Sequence, residues 1–184
     1  RNPKIKDAVE NMLYARDGLM IGICNGFQAL IKLGLVPFGK IVPLSSESPT
    51  LTYNTIGRHQ SQLALTKICT NKSPWLMHCK VGEVYNIPIS HGEGRFVASD
   101  EVIAKLIENG QIATQYVDLN GEPTMALAYN PNSSMCAIEG IISPDGRVLG
   151  KMGHTERISS DTCVNVDGNK EQLLFKGGVD YFRI

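Results

Sequence analysis

Little in these 184 residues points to a membrane or a nucleic acid. Acidic and basic side chains balance at 18 each, so no net field draws the chain onto DNA, RNA or an anionic lipid surface. The longest apolar stretches, such as Gly18–Ile23 and Ala137–Ile142, are strand-sized and far below the roughly 20 residues needed to cross a bilayer. The five cysteines form an odd set with neither a C-x-x-C pair nor a framework spacing, which argues against a disulfide scaffold and fits a reducing cytosol. Four scattered histidines add no metal-ligand spacing, so no metal site is expected. Repeats and low-complexity segments are also lacking. The amino end, Arg1-Asn2-Pro3-Lys4, has no initiator Met and no apolar signal core, and the chain is expected to be part of a longer polypeptide. With 42% hydrophobic residues, the length allows one good core and one domain over 1–184.

What is there alternates between helical and strand periodicity. Asn2 can cap a helix with Pro3 in its first turn, and Ile5, Ala8, Val9, Met12 and Leu13 then share one face up to about Arg16. Leu19–Ile23 is apolar without alternation, as expected of a central parallel strand covered on both faces. Cys24-Asn25-Gly26 turns it abruptly into a helical run, Phe27–Leu33, that Gly34 stops. Pro43–Gly57 has the composition of a surface loop, and Gln62–Ile68 and Lys80–Ser90 of strands. Ser99 caps a helix with Val102, Ile103, Leu106 and Ile107 inward and Gly110 at its end. Further strands are expected at Gln111–Tyr116, Met125–Tyr129 and Cys136–Ser143, a turn at Pro144-Asp145-Gly146, and a closing helix within Glu171–Phe182. This order favours an α/β sandwich with some antiparallel hairpins.

The candidate nucleophile is Cys24. A residue on a strand-to-helix turn is exposed and sits at the positive end of the following helix, a field that favours thiolate. A lone cysteine after an apolar strand is more often simply packed, and that reading is kept for Cys69, Cys79, Cys136 and Cys163, which lack such a turn. A thiol nucleophile needs a base, and the base needs an orienting group; His154 and Glu156, two apart in an extended segment, can supply both. An H-x-E pair alone is weak, but beside the Cys24 elbow it gains specificity. Gly92-x-Gly94 lacks the strand-loop-helix setting of a phosphate cradle, and Glu93 within it would repel phosphate.

The run Gly22-Ile23-Cys24-Asn25-Gly26-Phe27-Gln28 resembles the G-x-C-x-G-x-Q signature of class I glutamine amidotransferases, with His154-Thr155-Glu156 as its H-x-E pair. More narrowly, Gly22–Leu33, Pro88–Phe96 and Gly153–Arg157 resemble the glutaminase domain at the carboxyl end of phosphoribosylformylglycinamidine synthases of the large single-chain type. The resemblance implies a three-layer α/β/α, flavodoxin-like sheet and a cytoplasmic enzyme. It implies that Cys24 attacks the carboxamide of L-glutamine, that His154 serves as acid and base, and that Glu156 orients it. Gln28 and the backbone of Ser90 and His91 are then expected to contact glutamine, and the amide of Asn25 or of Cys24 itself to donate to the oxyanion. Arg95 has an alternative at the domain interface, His59 lies in a segment that resembles one facing the synthase, and His78 has no assigned role. No cofactor is expected in this chain; ATP and Mg belong to the synthase partner, where ammonia converts formylglycinamide ribonucleotide to its amidine in purine synthesis.

Two departures from the family pattern stand out. The family's initial strands and Gly-Gly loop, which supply a second oxyanion donor, do not precede the first helix, so the domain is expected to be truncated at its amino side and to expose a sheet edge. Thr155 also replaces the Pro that relatives often carry. The alternatives are a γ-glutamyl hydrolase or peptidase with the same Cys-His pair, and an inactive docking fragment.

Overall fold

In the computed structural model, which describes residues 2–183, the helices are α1 (Pro3–Glu10), continued by a π-helical turn over Asn11–Ala15, then α2 (Asn25–Leu33), the short α3 (Leu35–Phe38), α4 (Asp100–Glu108) and α5 (Leu174–Tyr181). The strands are β1 (Met20–Ile23), β2 (Thr50–Thr52), β3 (Gln60–Ile68), β4 (Val84–His91), β5 (Arg95–Val97), β6 (Ile112–Tyr116), β7 (Ile138–Ile142) and β8 (Val148–Lys151). Six of them form one sheet in the order β1-β8-β7-β6-β3-β4, while β2 and β5 make a separate ribbon. Only β1 and β8 run parallel; every other neighbouring pair is antiparallel.

Strand periodicity divides the core into the three expected layers. On one face, Ile141 and Val148 pack with Phe27, Leu30 and Ile31 of α2 and Ile103 and Leu106 of α4. One residue further along each strand, Ile142 and Leu149 point to the other face, where they meet Leu76, Leu174 and Ile87. Each such large side chain, taken fully out of water, contributes about 1.5–3 kcal/mol. Local signals agree with this layering: Asn2 accepts the Lys4 amide at the start of α1, Ser99 accepts the Val102 amide at the start of α4, and Gly34 closes α2 at φ 84°. The Gly177-Gly178 pair inside α5 has a packing reason. A Cβ on Gly177 would lie 2.7 Å from the Pro74 carbonyl oxygen, and one on Gly178 2.4 Å from the Trp75 ring.

The sheet curls until its two ends face each other. Along β4, the outward-pointing backbone groups do not meet a further strand: the Pro88 carbonyl accepts the His154 amide at 2.8 Å, the Ser90 carbonyl accepts the Cys24 thiol at 3.7 Å, and the Asn86 amide donates to Asn169. An edge that would otherwise be open is thereby covered by the chain itself.

Several expectations are corrected. Among the described residues β1, read as central, is the end strand of the six, and its other edge carries no strand. Met125–Tyr129 is a loop with Met125 and Leu127 exposed, because the chain leaves the sheet after β6 and returns only at β7. β2 lies inside the stretch read as loop, with Leu51 buried against the core. Ile5 and Ala8 of α1 and Ile107 of α4 are exposed, so those helical stripes are narrower than their periodicity implied.

α2 rests directly on β1: a Cβ on Gly22 would come within 2.7 Å of the Gly26 carbonyl carbon and oxygen and 2.5 Å of Leu30 Cδ1. Backbone cannot yield as a side chain can. Gly22→Ala is therefore expected to lower unfolding free energy by about 1–3 kcal/mol, seen as a reduced urea midpoint at unchanged slope. An unchanged midpoint would show that α2 does not rest on β1 in this way.

Candidate active site

Cys24 stands between β1 and α2 with φ 54° and ψ −108°, a conformation that costs a non-glycine residue on the order of 1–3 kcal/mol. The bond that holds it there runs from its amide to the Lys151 carbonyl at 2.8 Å, extending the parallel ladder one residue past Ile23, which stands level with Lys151. The first bond of α2 runs from the Gln28 amide to the Cys24 carbonyl. The amides of the helix's first turn thus have no intrahelical acceptor. Since the Cys24 amide is already committed, Asn25 remains of the two oxyanion donors named from sequence. A Cβ built on Gly26 would meet nothing within 4 Å, so there is open space over this turn.

His154 follows β8 as Cys24 follows β1, at the carboxyl ends of adjacent parallel strands. Its Nδ1 lies 2.6 Å from Glu156 Oε1, in a short 3-10 turn, Thr155–Arg157, that brings the carboxylate round to the ring. With Nδ1–H donated to a carboxylate, the lone pair lies on Nε2, and that atom is buried with no partner. Thr155, in place of the expected Pro, uses its hydroxyl as a donor to Gln172 Oε1 at 2.7 Å.

The electrostatics of Cys24 differ from expectation. Burial pushes its thiol above the usual range, against the lowering effects of the Asn25 amide and the Arg157 charge; the Glu156 charge also raises it. The helix field is outweighed, and the free thiol is protonated at neutral pH. A base is needed, and His154 has an unoccupied ring nitrogen at the same end of the sheet.

The remaining residues gather on the neighbouring loops. Gln28 Nε2 donates to the Glu93 carbonyl at 2.6 Å, tying α2 to the loop after β4. Ser90 faces Cys24 with its carbonyl and meets His59 Nε2 with its hydroxyl at 3.0 Å. The His91 carbonyl accepts Asn54 Nδ2 at 2.9 Å. The His91 ring is buried, neither nitrogen has a partner, and burial lowers its pKa to about 4, leaving it neutral. Arg95 Nε is likewise buried and unpaired, while His78 pairs with Asp180 on the surface. Sequence reasoning missed Asn54, Asn132 and Ser134, which clamp the loop around Gly94, and Glu139 and Lys151 beneath His154. Polar residues inside apolar strands are the one sequence signal that marked the last two. Among the described residues no three His, Cys, Asp or Glu side chains converge as a metal site, and no helix is long and apolar enough to cross a membrane.

The profile of a family described as "CobB/CobQ-like glutamine amidotransferase domain" matches residues 1–182. Phosphoribosylformylglycinamidine synthase subunit PurQ of Moorella thermoacetica is 37% identical over 85% of this chain and 61% of that protein. The subunit of the same name from Chlorobium chlorochromatii is 36% identical over 95% of this chain and 67% of its own length. A solved structure entitled "Structure of PurLQS from Thermotoga maritima" matches with a TM-score of 0.67 at 27% identity, covering 95% of this chain and 68% of that one. The chain thus spans 61% of the length of the first of these relatives.

The raised thiol pKa fixes the sign of a pH effect. Below its pKa the thiolate fraction rises about tenfold per pH unit, so the rate of Cys24 modification by iodoacetamide is expected to climb steadily from pH 7 to 9. A plateau reached by pH 7 would contradict the burial argument.

Proposed function

The chain belongs to the CobB/CobQ-like glutamine amidotransferase domain family, and on that premise we propose that it is the glutaminase half of a phosphoribosylformylglycinamidine synthase. The observation that carries the reading is the strained Cys24 elbow bonded to β8, beside a histidine whose far nitrogen is fixed by a carboxylate. In this reading His154 Nε2 takes the Cys24 proton and the thiolate adds to the carboxamide carbon of L-glutamine. The Asn25 amide stabilises the oxyanion. The carbon–nitrogen bond then breaks as the imidazolium returns its proton to the leaving nitrogen, giving ammonia and a γ-glutamyl thioester. Water, deprotonated by His154, hydrolyses the thioester to glutamate and restores the thiol. Glu156 keeps the Nδ1 tautomer throughout and stabilises the imidazolium.

Gln28 and Ser90 border this turn and are assigned to glutamine contacts. The ammonia passes to a synthase partner, where ATP and Mg activate formylglycinamide ribonucleotide. The likeness of Gly22–Leu33 and Pro88–Phe96 to the single-chain enzymes supports a synthase joined in the same polypeptide, and five free cysteines are in keeping with the cytoplasm.

The deciding variant is Cys24→Ala in the assembled enzyme. Glutamine-dependent amidine formation is expected to fall by at least about 1,000-fold, while synthesis from added ammonium proceeds at the wild-type rate. Retained glutamine use, or loss of both activities in a folded variant, would overturn the two-site reading.

A further inference from the structure

We infer that the buried Glu139–Lys151 ion pair positions His154, a role that rests on the glutaminase reading above. Both side chains are almost wholly inaccessible, at 0% and 1%, and their charged atoms are 3.4 Å apart. They interrupt the otherwise apolar centre of the sheet, where Ile141, Ile142, Val148 and Leu149 surround them along β7 and β8. Removing two charges from water costs several kcal/mol per ion, and apolar residues of similar volume often serve stability as well or better. Stability therefore does not account for the pair.

Its hydrogen bonds do. The Glu139 carboxylate accepts the Gly153 amide on Oε1 and the Thr114 hydroxyl on Oε2. Lys151 Nζ donates to the Gly153 carbonyl at 2.9 Å and to Thr155 Oγ1 at 3.3 Å. Glu139 is the third neighbour of the ammonium, as an ion pair. The Gly153 carbonyl and the His154 amide belong to one peptide unit. Lys151 holds its oxygen and Pro88 receives its hydrogen at 2.8 Å, so the peptide leading into His154 is gripped at both ends. Thr155, on the other flank, is held by Lys151 and by Gln172. A Cβ on Gly153 would lie 2.8 Å from Ile87 Cγ2 and 3.0 Å from both Glu139 Oε1 and Lys151 Nζ, so a side chain here would press on the ion pair. Lys151 also offers its backbone carbonyl to the Cys24 amide, so one residue sets the positions of nucleophile and base together.

The test uses the assembled amidotransferase and reads the alkylation rate of Cys24 by a chloroketone analogue of glutamine, with glutamine kcat and KM alongside. Glu139→Gln and Lys151→Met are expected to slow alkylation and kcat by about 10- to 100-fold, with KM within about twofold and ammonium-dependent synthesis unchanged. Each substitution is repeated in a His154→Ala background, where it should alter the residual alkylation rate by less than about twofold, because the group it positions is gone. An equal loss in both backgrounds marks a general structural role and overturns the inference, as does a wild-type rate in a folded variant. Should thermal melts show the charge variants unfolded, Thr155→Val, which removes both hydrogen bonds of the Thr155 hydroxyl and strands no whole charge, is read in the same two backgrounds by the same criterion. Failure of the wild-type enzyme to be labelled at Cys24 would instead sink the glutaminase reading itself.

Discussion

The hydrogen bond from the Cys24 amide to the Lys151 carbonyl joins the two halves of the site. It is the last rung of a parallel ladder that starts at Met20 and Val148, so its register is set by the core that packs β1, β8 and α2. A slip of one residue would turn every β1 side chain to the wrong face and carry Cys24 away from His154. The positive φ at Cys24 persists because the strand before it and the helix after it are each fixed independently, with Gly22 allowing α2 to lie against β1.

Curling of the sheet supplies the third wall. β4 is far from β1 in strand order, yet its outward carbonyls at Pro88 and Ser90 reach the His154 amide and the Cys24 thiol. The edge strand thus meets the candidate catalytic residues in place of a neighbouring strand. Burial at this junction raises the Cys24 pKa and keeps His91 neutral.

How far the sequence revealed this depends on the range of the interaction. The Cys24 elbow, the Ser99 and Asn2 caps and the Gly34 stop are local chemistry, and each was legible from a few neighbouring residues. The His154–Glu156 pair was legible for the same reason, lying two residues apart. Met125–Tyr129 misled because a suitable composition does not provide a pairing partner. The helix field at Cys24 was overestimated since desolvation depends on what the fold packs around the sulfur. Glu139 and Lys151 lie on different strands and only their register brings them under Gly153, while Gln172 reaches Thr155 from the segment before α5.

The central claim is that Cys24 forms a bond to the glutamyl carbon in the course of turnover. Acid quenching of the assembled enzyme during turnover of isotopically labelled glutamine, followed by peptide mapping, reads that bond directly. A γ-glutamyl adduct on the peptide bearing Cys24, absent from the Cys24→Ala enzyme, is the predicted result. An adduct on Cys69 or Cys136, with Cys24 unmodified, would contradict the account.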